Sequence, residues 1–193
     1  MYKHDAKEEG PWHLCDQWDT ECPVQAISVT TTGAFITTWH YLPRLNKGSP
    51  EVDPDAKGNM IIWSLQKAGE HSIVLRDKYP NMVRHLWPFY RFSSDEKLVA
   101  VKKQSKLYIY TTDDIGARPS PYTLTCKGLA QFSLKAVVHH GKRDEGREPE
   151  YMIGTFVPSI KDQFAKVQLF NLNDLKKPVM FKVFGRGERV EFL

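Results

Sequence analysis

The chain has 193 residues, 41% of them hydrophobic and 12% aromatic, which is enough to fill the core of one or two compact domains and excludes a disordered protein. Its apolar runs are far shorter than the ~20 residues of a transmembrane helix, and the first residues lack the apolar segment of a secretory signal. Three cysteines without a CxxC pair argue against a disulfide framework and a structural zinc site. We therefore expect a cytoplasmic protein with no membrane contact.

The net charge of +4 is unevenly distributed along the sequence. Residues 1–60 carry 5 basic and 9 acidic side chains, whereas residues 61–193 carry 22 and 14, an excess of eight positive charges. Such an excess favours an anionic partner such as RNA. Scattered lysines also keep a β protein soluble, however, and that simpler explanation stays open.

The first part of the chain combines an irregular segment with one predicted four-stranded unit. Residues 1–23 show a period of neither 2 nor 3.6, so we interpret them as an irregular lead-in. Residues 43–58 contain three prolines and two glycines, which predicts a long exposed loop. Alternating, β-branched and aromatic residues predict four strands in a unit spanning about 24–77: Val24–Val29, Ala34–Trp39, Met60–Leu65 and His71–Leu75.

Two further units repeat this design at about 83–126 and 128–184, and the start of a fourth is expected at 188–193. Turn chemistry at Ser94–Lys97, where short side chains bond back to the backbone, separates the first two strands of the second unit. No segment predicts an amphipathic helix of ten or more residues. The predicted strands of these units are Phe89–Ser93, Leu98–Lys102, Lys106–Thr111, Tyr122–Thr125, Leu129–Leu134, Tyr151–Val157, Lys166–Asn171, Val179–Phe184 and Val190–Leu193.

One strand recurs three times with the same pattern of side chains. When Trp63, Tyr110 and Phe170 are superposed, Ile62, Ile109 and Leu169 coincide, with separations of 47 and 60 residues. Periods of this size indicate stacked blades, and each recurring strand should be the third of an antiparallel sheet. The predicted fold is an all-β, WD40-like β-propeller of about three four-stranded blades plus the start of a fourth. An incomplete propeller leaves blade edges open, so we expect self-association through them.

Several motifs in this order resemble the N-terminal propeller of eukaryotic translation initiation factor 2A. They are Phe35-Ile36-Thr37-Thr38-Trp39, Asn59-x-x-x-Trp63, Trp87-Pro88, Arg91-Phe92-Ser93-x-Asp95-Glu96-Lys97-Leu98-x-Ala100, Leu107-Tyr108-Ile109-Tyr110 and Glu188-Arg189-Val190-Glu191-Phe192-Leu193. The propeller of the b subunit of initiation factor 3 is built from similar motifs.

The resemblance implies a WD-like propeller, nine-bladed in the factor 2A family, of which three blades and part of a fourth are expected here. It also implies contact with the small ribosomal subunit, a role in delivering initiator tRNA to mRNA, and association with other initiation factors. We expect a docking scaffold that is not an enzyme and needs no cofactor. The alternatives are the factor 3 subunit, a generic WD-like protein-interaction scaffold, and a propeller hydrolase, for which the sequence shows no site.

Aromatic, histidine and acidic residues each offer a chemical interpretation and a plainer one. Trp39, Trp63 and Trp87 would suit base stacking, but their strand positions favour core packing. His139 and His140 lack the spacing of metal ligands or of a nucleophile's partner. For carboxylates in predicted turns, such as Asp113 and Asp114, the sequence indicates no cleft of the kind that a paired acid–base site needs.

Basic residues beside predicted turns are the candidate site. Turns of one type gather on one rim of a propeller, so residues distant in sequence can form one positive patch that binds rRNA phosphates without reading sequence. For the cluster of Lys142, Arg143 and Arg147, neighbouring carboxylates could instead neutralise the basic side chains and leave an ordinary solvated surface. The candidate RNA- and ribosome-binding residues are Lys102, Lys103, Lys106, Lys142, Arg143, Arg147, Arg186 and Arg189.

Overall fold

The computed structural model of the chain forms two compact units, Met1–Arg84 and His85–Leu193. The structure describes residues 2–3, 13–14, 20, 22–46, 51–67, 70–79, 89–115, 119–137, 149–159 and 164–184. In these residues the secondary structure is strand, apart from one 3-10 turn at Thr112–Asp114. No helix in this part of the chain is long and apolar enough to span a membrane.

The first unit contains one four-stranded antiparallel sheet and a small strand pair. The pair joins two-residue strands within the segment predicted to be irregular, β1 (Tyr2–Lys3) and β2 (His13–Leu14). The sheet is a meander in which each strand pairs with the next along the chain. Its strands are β3 (Ala26–Val29), β4 (Phe35–Trp39), β5 (Met60–Lys67) and β6 (Glu70–Asp77).

The second unit contains two more four-stranded meanders of the same antiparallel order. One comprises β7 (Tyr90–Phe92), β8 (Leu98–Lys103), β9 (Lys106–Thr111) and β10 (Tyr122–Thr125). The other comprises β11 (Gln131–Val137), β12 (Glu150–Ser159), β13 (Phe164–Asn171) and β14 (Met180–Phe184). Three such sheets with almost no helix make the chain an all-β, partial β-propeller, as predicted. The predicted strand at Val190–Leu193 lies outside the described residues.

The recurring strand occupies the third position of all three sheets, which confirms the repeat. Large aliphatic residues at its centre, Ile62, Ile109 and Leu169, each lie opposite a small or short residue of the second strand. Those partners are Thr37, Ala100 and Gly154, all buried. A large side chain beside a small one makes the face of a sheet uneven, so that side chains of a facing layer can fill the gaps. In this way a β core reaches native packing density.

The turn between the first and second strands also has equivalent hydrogen bonds in the first two sheets. The Phe35 amide donates to Thr30 Oγ1 over 3.1 Å, and the Leu98 amide donates to Ser93 Oγ over 3.0 Å. Gly33 and Glu96 hold the corresponding left-handed conformation, with φ of 77° and 56°. The expected side-chain to backbone bonding at Ser94–Lys97 is confirmed, since Asp95 Oδ1 accepts from the Lys97 amide at 3.3 Å.

A buried asparagine closes the first unit at the end where β5 begins. Asn59 Nδ2 donates to the backbone oxygens of His40, at 2.9 Å, and Tyr79, at 3.1 Å. Its Oδ1 accepts from the Tyr79 amide at 2.7 Å. The side chain is fully buried, so these bonds form away from water, where an unmade bond costs most. One side chain thereby links the loop that follows β4 with the end of β6.

The tryptophans of the first sheet pack in the core, as the sequence favoured. Trp39 is fully buried and Trp63 is 6% exposed, with its indole N–H donating to Thr38 Oγ1 over 2.9 Å. Neither ring is available to stack on a base. Trp87 lies outside the described residues.

Candidate functional site

The β8–β9 hairpin of the second unit presents the first of the candidate basic clusters. Lys103 ends β8 and Lys106 begins β9, and the two residues pair across the two-residue turn formed by Gln104 and Ser105. Gln104 has a φ of 53°, the left-handed conformation that a tight hairpin turn requires. The hairpin therefore fixes both lysines at one end of the sheet.

The environments of these hairpin lysines differ. Lys106 is exposed, whereas Lys103 is half-buried, with its ammonium group 5.8 Å from the centre of the Tyr108 ring. That distance allows a cation–π contact, which holds the side chain against the sheet while leaving the charge near solvent.

Lys102 is buried, whereas its predicted role in RNA binding requires an exposed side chain. It is 8% exposed, and its ammonium group lies 3.5 Å from the backbone oxygen of Ala130. Burial lowers the pKa of Lys102, and the nearby Cys126 offsets only part of that effect. Burial likewise raises the pKa of the Cys126 thiol, more than its Thr155 hydrogen bond and Lys102 lower it. In this position Lys102 anchors the turn into β11 and is not displayed to a polyanion.

The remaining candidates, Lys142, Arg143, Arg147, Arg186 and Arg189, lie outside the described residues, as do His139 and His140. Asp113 and Asp114 are exposed within the 3-10 turn that follows β9. Among the residues that the structure describes, no group of three or more histidine, cysteine or acidic side chains is placed to hold a metal ion.

Hydrogen bonds bring the β8–β9 turn together with the ends of neighbouring strands. The Cys126 amide donates to the Ser105 oxygen over 2.7 Å, and the Ala130 amide donates to the Phe156 oxygen over 2.9 Å. Strand pairing places Lys166 opposite Val157 on one side and Val183 on the other. We call this region the lysine end, formed by residues 103–106, 125–131, 156–159, 164–167 and 182–184.

The lysine end carries more positive charge than the sequence clusters indicated. Besides Lys103 and Lys106 it holds Lys127, Lys166 and Lys182, all three exposed. None of its described residues is acidic. The sequence search missed these three because each is isolated in the chain; only the strand order, which returns alternate turns to one end of a meander, brings them together.

Carboxylates of the second unit gather at the opposite end of the same sheets, which we call the mixed end. Lys97, Lys176 and Lys177 lie among them, so both signs of charge are present there. The carboxylates of the described turns and strand ends are Asp95, Glu96, Asp113, Asp114, Glu150 and Asp174. Among the described residues of this unit, the lysine end has only basic charged side chains, whereas the mixed end has both signs, and this contrast favours an anionic partner at the lysine end.

A hydrogen-bonded cluster ties two sheets of the second unit together at the mixed end. Asp95 Oδ1 accepts from Ser93 Oγ at 2.6 Å, and Asp95 Oδ2 accepts from the Tyr151 hydroxyl at 2.8 Å. Partial burial by itself would raise the pKa of Asp95, but the bonds from Ser93, Tyr151 and the backbone lower it below its usual value. A groove of about 770 Å³ adjoins this cluster, with Lys97, Asp113 and Tyr151 among its walls. The mixture of charges there suits no single class of ion.

Comparison with known proteins supports the fold. No family model and no curated protein matches the sequence. A solved structure that does match is described as the crystal structure of the eukaryotic initiation factor, with a TM-score of 0.63 and 18% sequence identity. The match covers 88% of this chain and 36% of the other, so the chain spans about a third of that protein's length. At this identity the likeness establishes a shared fold: the chain is built like part of a eukaryotic initiation factor.

Proposed function

We propose that this chain acts in translation initiation as a non-enzymatic docking scaffold of the initiation factor 2A type. Two independent observations support the proposal: the structural likeness to a eukaryotic initiation factor, and the motifs that resemble the factor 2A propeller. The proposed role is to help deliver initiator tRNA to mRNA on the small ribosomal subunit, in the cytoplasm and alongside other initiation factors. The propeller of the b subunit of factor 3 is the second candidate, since the same motifs and fold favour it.

The observation that carries the RNA-binding part of the proposal is the lysine end. Five lysines lie at the same end of the two sheets, and none of the described residues at that end is acidic. Lysines act as point charges on phosphates and carry no sequence information, which suits a scaffold on rRNA. No cofactor enters this role, because docking requires no bond to be made or broken.

The test is binding of the chain to purified small ribosomal subunits over a series of salt concentrations. The parent should bind with a log-log salt slope of roughly −0.7 to −0.9 for every phosphate contacted. Lys103→Glu with Lys106→Glu should weaken binding and reduce the magnitude of that slope by about one for each lysine.

A matched control changes the same number of charges elsewhere on the second unit. Lys135→Glu with Lys177→Glu alters two exposed lysines that lie away from the lysine end. Binding should change little in this control, and both variants should retain the circular dichroism of the parent. Equal losses in the two double variants, or binding that ignores salt, would refute the lysine end as the RNA-binding surface. Copurification with a stable multisubunit complex in place of ribosomal subunits would favour the factor 3 subunit.

A further inference from the structure

A cavity of about 390 Å³ opens beside the lysine end of the second unit. It lies against one face of β13, since Lys166, Gln168 and Phe170 all contribute to its wall. Its volume falls within the roughly 300–1,000 Å³ typical of sites for small organic ligands. The rest of the lining comes from β10 and the turn after it, from β12, and from the loop before β14, and it includes Leu124, Lys127, Val157, Leu175 and Lys176.

The rim of this cavity is cationic. Three of its lining residues are lysines, Lys127, Lys166 and Lys176, and all three are exposed. None of the described residues that line the cavity carries a carboxylate. Asp174, which accepts a hydrogen bond from the Lys176 amide over 3.1 Å, is not part of the lining. A ligand that enters therefore meets three lysines in the lining, and this excess of positive charge favours an anion.

The inner wall is apolar and bears a neutral amide. Leu124 and Phe170 are buried, and Val157 and Leu175 are half-buried, so together they form a hydrocarbon floor. Gln168, half-buried on the same face of β13, brings an amide that both donates and accepts hydrogen bonds. Inorganic phosphate would satisfy the rim but leave the floor uncovered. The ligand that matches both parts has an anionic group attached to a flat, largely apolar ring with polar edges.

We propose that this cavity binds a single nucleotide of single-stranded RNA. The base lies on the floor formed by Leu124, Val157 and Phe170, with its edge towards Gln168, and the lysines of the rim contact its phosphates. Lys127 and Lys166 belong to the lysine end, so a strand that follows that surface passes the mouth of the cavity. The inference rests on the proposed function for its RNA partner, and its site is separate from Lys103 and Lys106.

The test uses 4-thiouridine 5′-monophosphate as a photo-crosslinking probe, with crosslinked peptides identified by mass spectrometry. The parent should crosslink in peptides that contain Leu124–Lys127 or Lys166–Phe170. Replacing Lys127, Lys166 and Lys176 together by Gln should reduce crosslinking at least tenfold. The matched control replaces Lys103, Lys106 and Lys182 by Gln, which removes three charges from the lysine end and leaves the cavity wall intact; its crosslinking should stay within twofold of the parent.

A second variant tests the cavity without changing its charge. Gln168→Trp narrows the cavity and retains all three rim lysines, so it should also lose the crosslink. Circular dichroism and thermal unfolding establish that each variant is folded. Crosslinks outside the cavity, or equal crosslinking by the cavity and control triple variants, would overturn the assignment. Competition by a phosphotyrosine peptide at concentrations where uridine monophosphate fails to compete would overturn RNA as the ligand.

The same proteins separate this inference from the proposed function. If the parent binds small ribosomal subunits but the nucleotide does not crosslink in the cavity, the cavity assignment fails and the proposed function stands. If the nucleotide crosslinks in the cavity but the parent does not bind ribosomal subunits, the cavity assignment holds and the proposed ribosomal role fails. A single-stranded RNA of about ten nucleotides, long enough to reach both surfaces, should lose affinity in both triple variants.

Discussion

Substituting Asn59 should destabilise the end of the first sheet, because its side chain joins two backbone segments that no strand pairing connects directly. Asn59→Ala removes three buried hydrogen bonds, those to the His40 and Tyr79 oxygens and from the Tyr79 amide. At about 1 kcal/mol for each bond, and more where a buried group is left without a partner, the free energy of unfolding should fall by about 3 kcal/mol or more.

The replacement of Asn59 by Asp gives a sharper version of the same prediction. The side chains have nearly the same shape, but an ionised carboxylate cannot donate to the two carbonyl oxygens that the Asn59 amide contacts. At neutral pH the variant should therefore be at least as unstable as Asn59→Ala. Protonation supplies one donor, so the variant should regain part of its stability relative to the parent as the pH falls through the pKa of the new carboxyl group.

Denaturant unfolding followed by circular dichroism measures the free energies, and hydrogen exchange of the Tyr79 amide reports on the contact itself. Protection of that amide should fall in both Asn59 variants. Asn46→Ala, which alters an exposed asparagine of the same unit, should change the unfolding free energy by less than about 0.5 kcal/mol. Unchanged Tyr79 protection in Asn59→Ala, or a loss of stability no larger than in the Asn46 control, would refute the assigned role of the asparagine.

Three further outcomes are expected. Ile109→Ala, at a fully buried position, should lower the unfolding free energy by about 2–5 kcal/mol in a denaturant titration, and an effect below about 1 kcal/mol would place Ile109 outside the core. Because the pKa of Asp95 is lowered by folding, its contribution to stability is present above the unfolded pKa and is lost as the pH falls below about 4. Tyr151→Phe removes one of the bonds that lower this pKa, so the loss of stability at acid pH should become smaller. An unchanged loss of stability at acid pH would contradict the bond. Lys102→Met should leave ribosome binding, and the slope of that binding against salt concentration, unchanged, because the ammonium group of the parent is buried against Ala130. A reduced slope would show that Lys102 reaches phosphate.

The strand pattern was predictable from sequence because a propeller repeats it. In the second unit, the third strand at Lys106–Thr111 and the fourth strand at Tyr122–Thr125 match their predicted bounds, since alternation and β-branched residues identify both. Strand ends were less predictable. β12 runs from Glu150 to Ser159 and includes Pro158, which pairs with Ala165 at the end of the ladder. Where a strand ends depends on its pairing with residues distant in sequence, and local β propensity contains no information about that pairing.

The candidate site was harder to predict than the fold. Lys102 and Lys103 are adjacent and both precede a turn, yet only Lys102 is buried. A central strand such as β8 is covered on both faces, as its run of buried residues from Leu98 to Lys102 shows, so alternation no longer separates buried from exposed positions. Lys127, Lys166 and Lys182 were missed for the opposite reason, since no local cluster marks them. Pairing and meander order bring them together, and a search by strand ends would find them.

The connections of these meanders vary in length at both ends of the sheets. From first to second strand, the turns Thr30–Ala34 and Ser93–Lys97 repeat equivalent hydrogen bonds and the same left-handed residue, whereas residues 138–149 join β11 to β12. From second to third strand, residues 40–59 join β4 to β5, whereas only Gln104 and Ser105 join β8 to β9. Loops on a rigid scaffold often carry function, but loop length does not distinguish the lysine end of the second unit from its mixed end. Charge does distinguish them: the described residues of the lysine end include five lysines and no acidic residue, so it is charge that favours an anionic partner there.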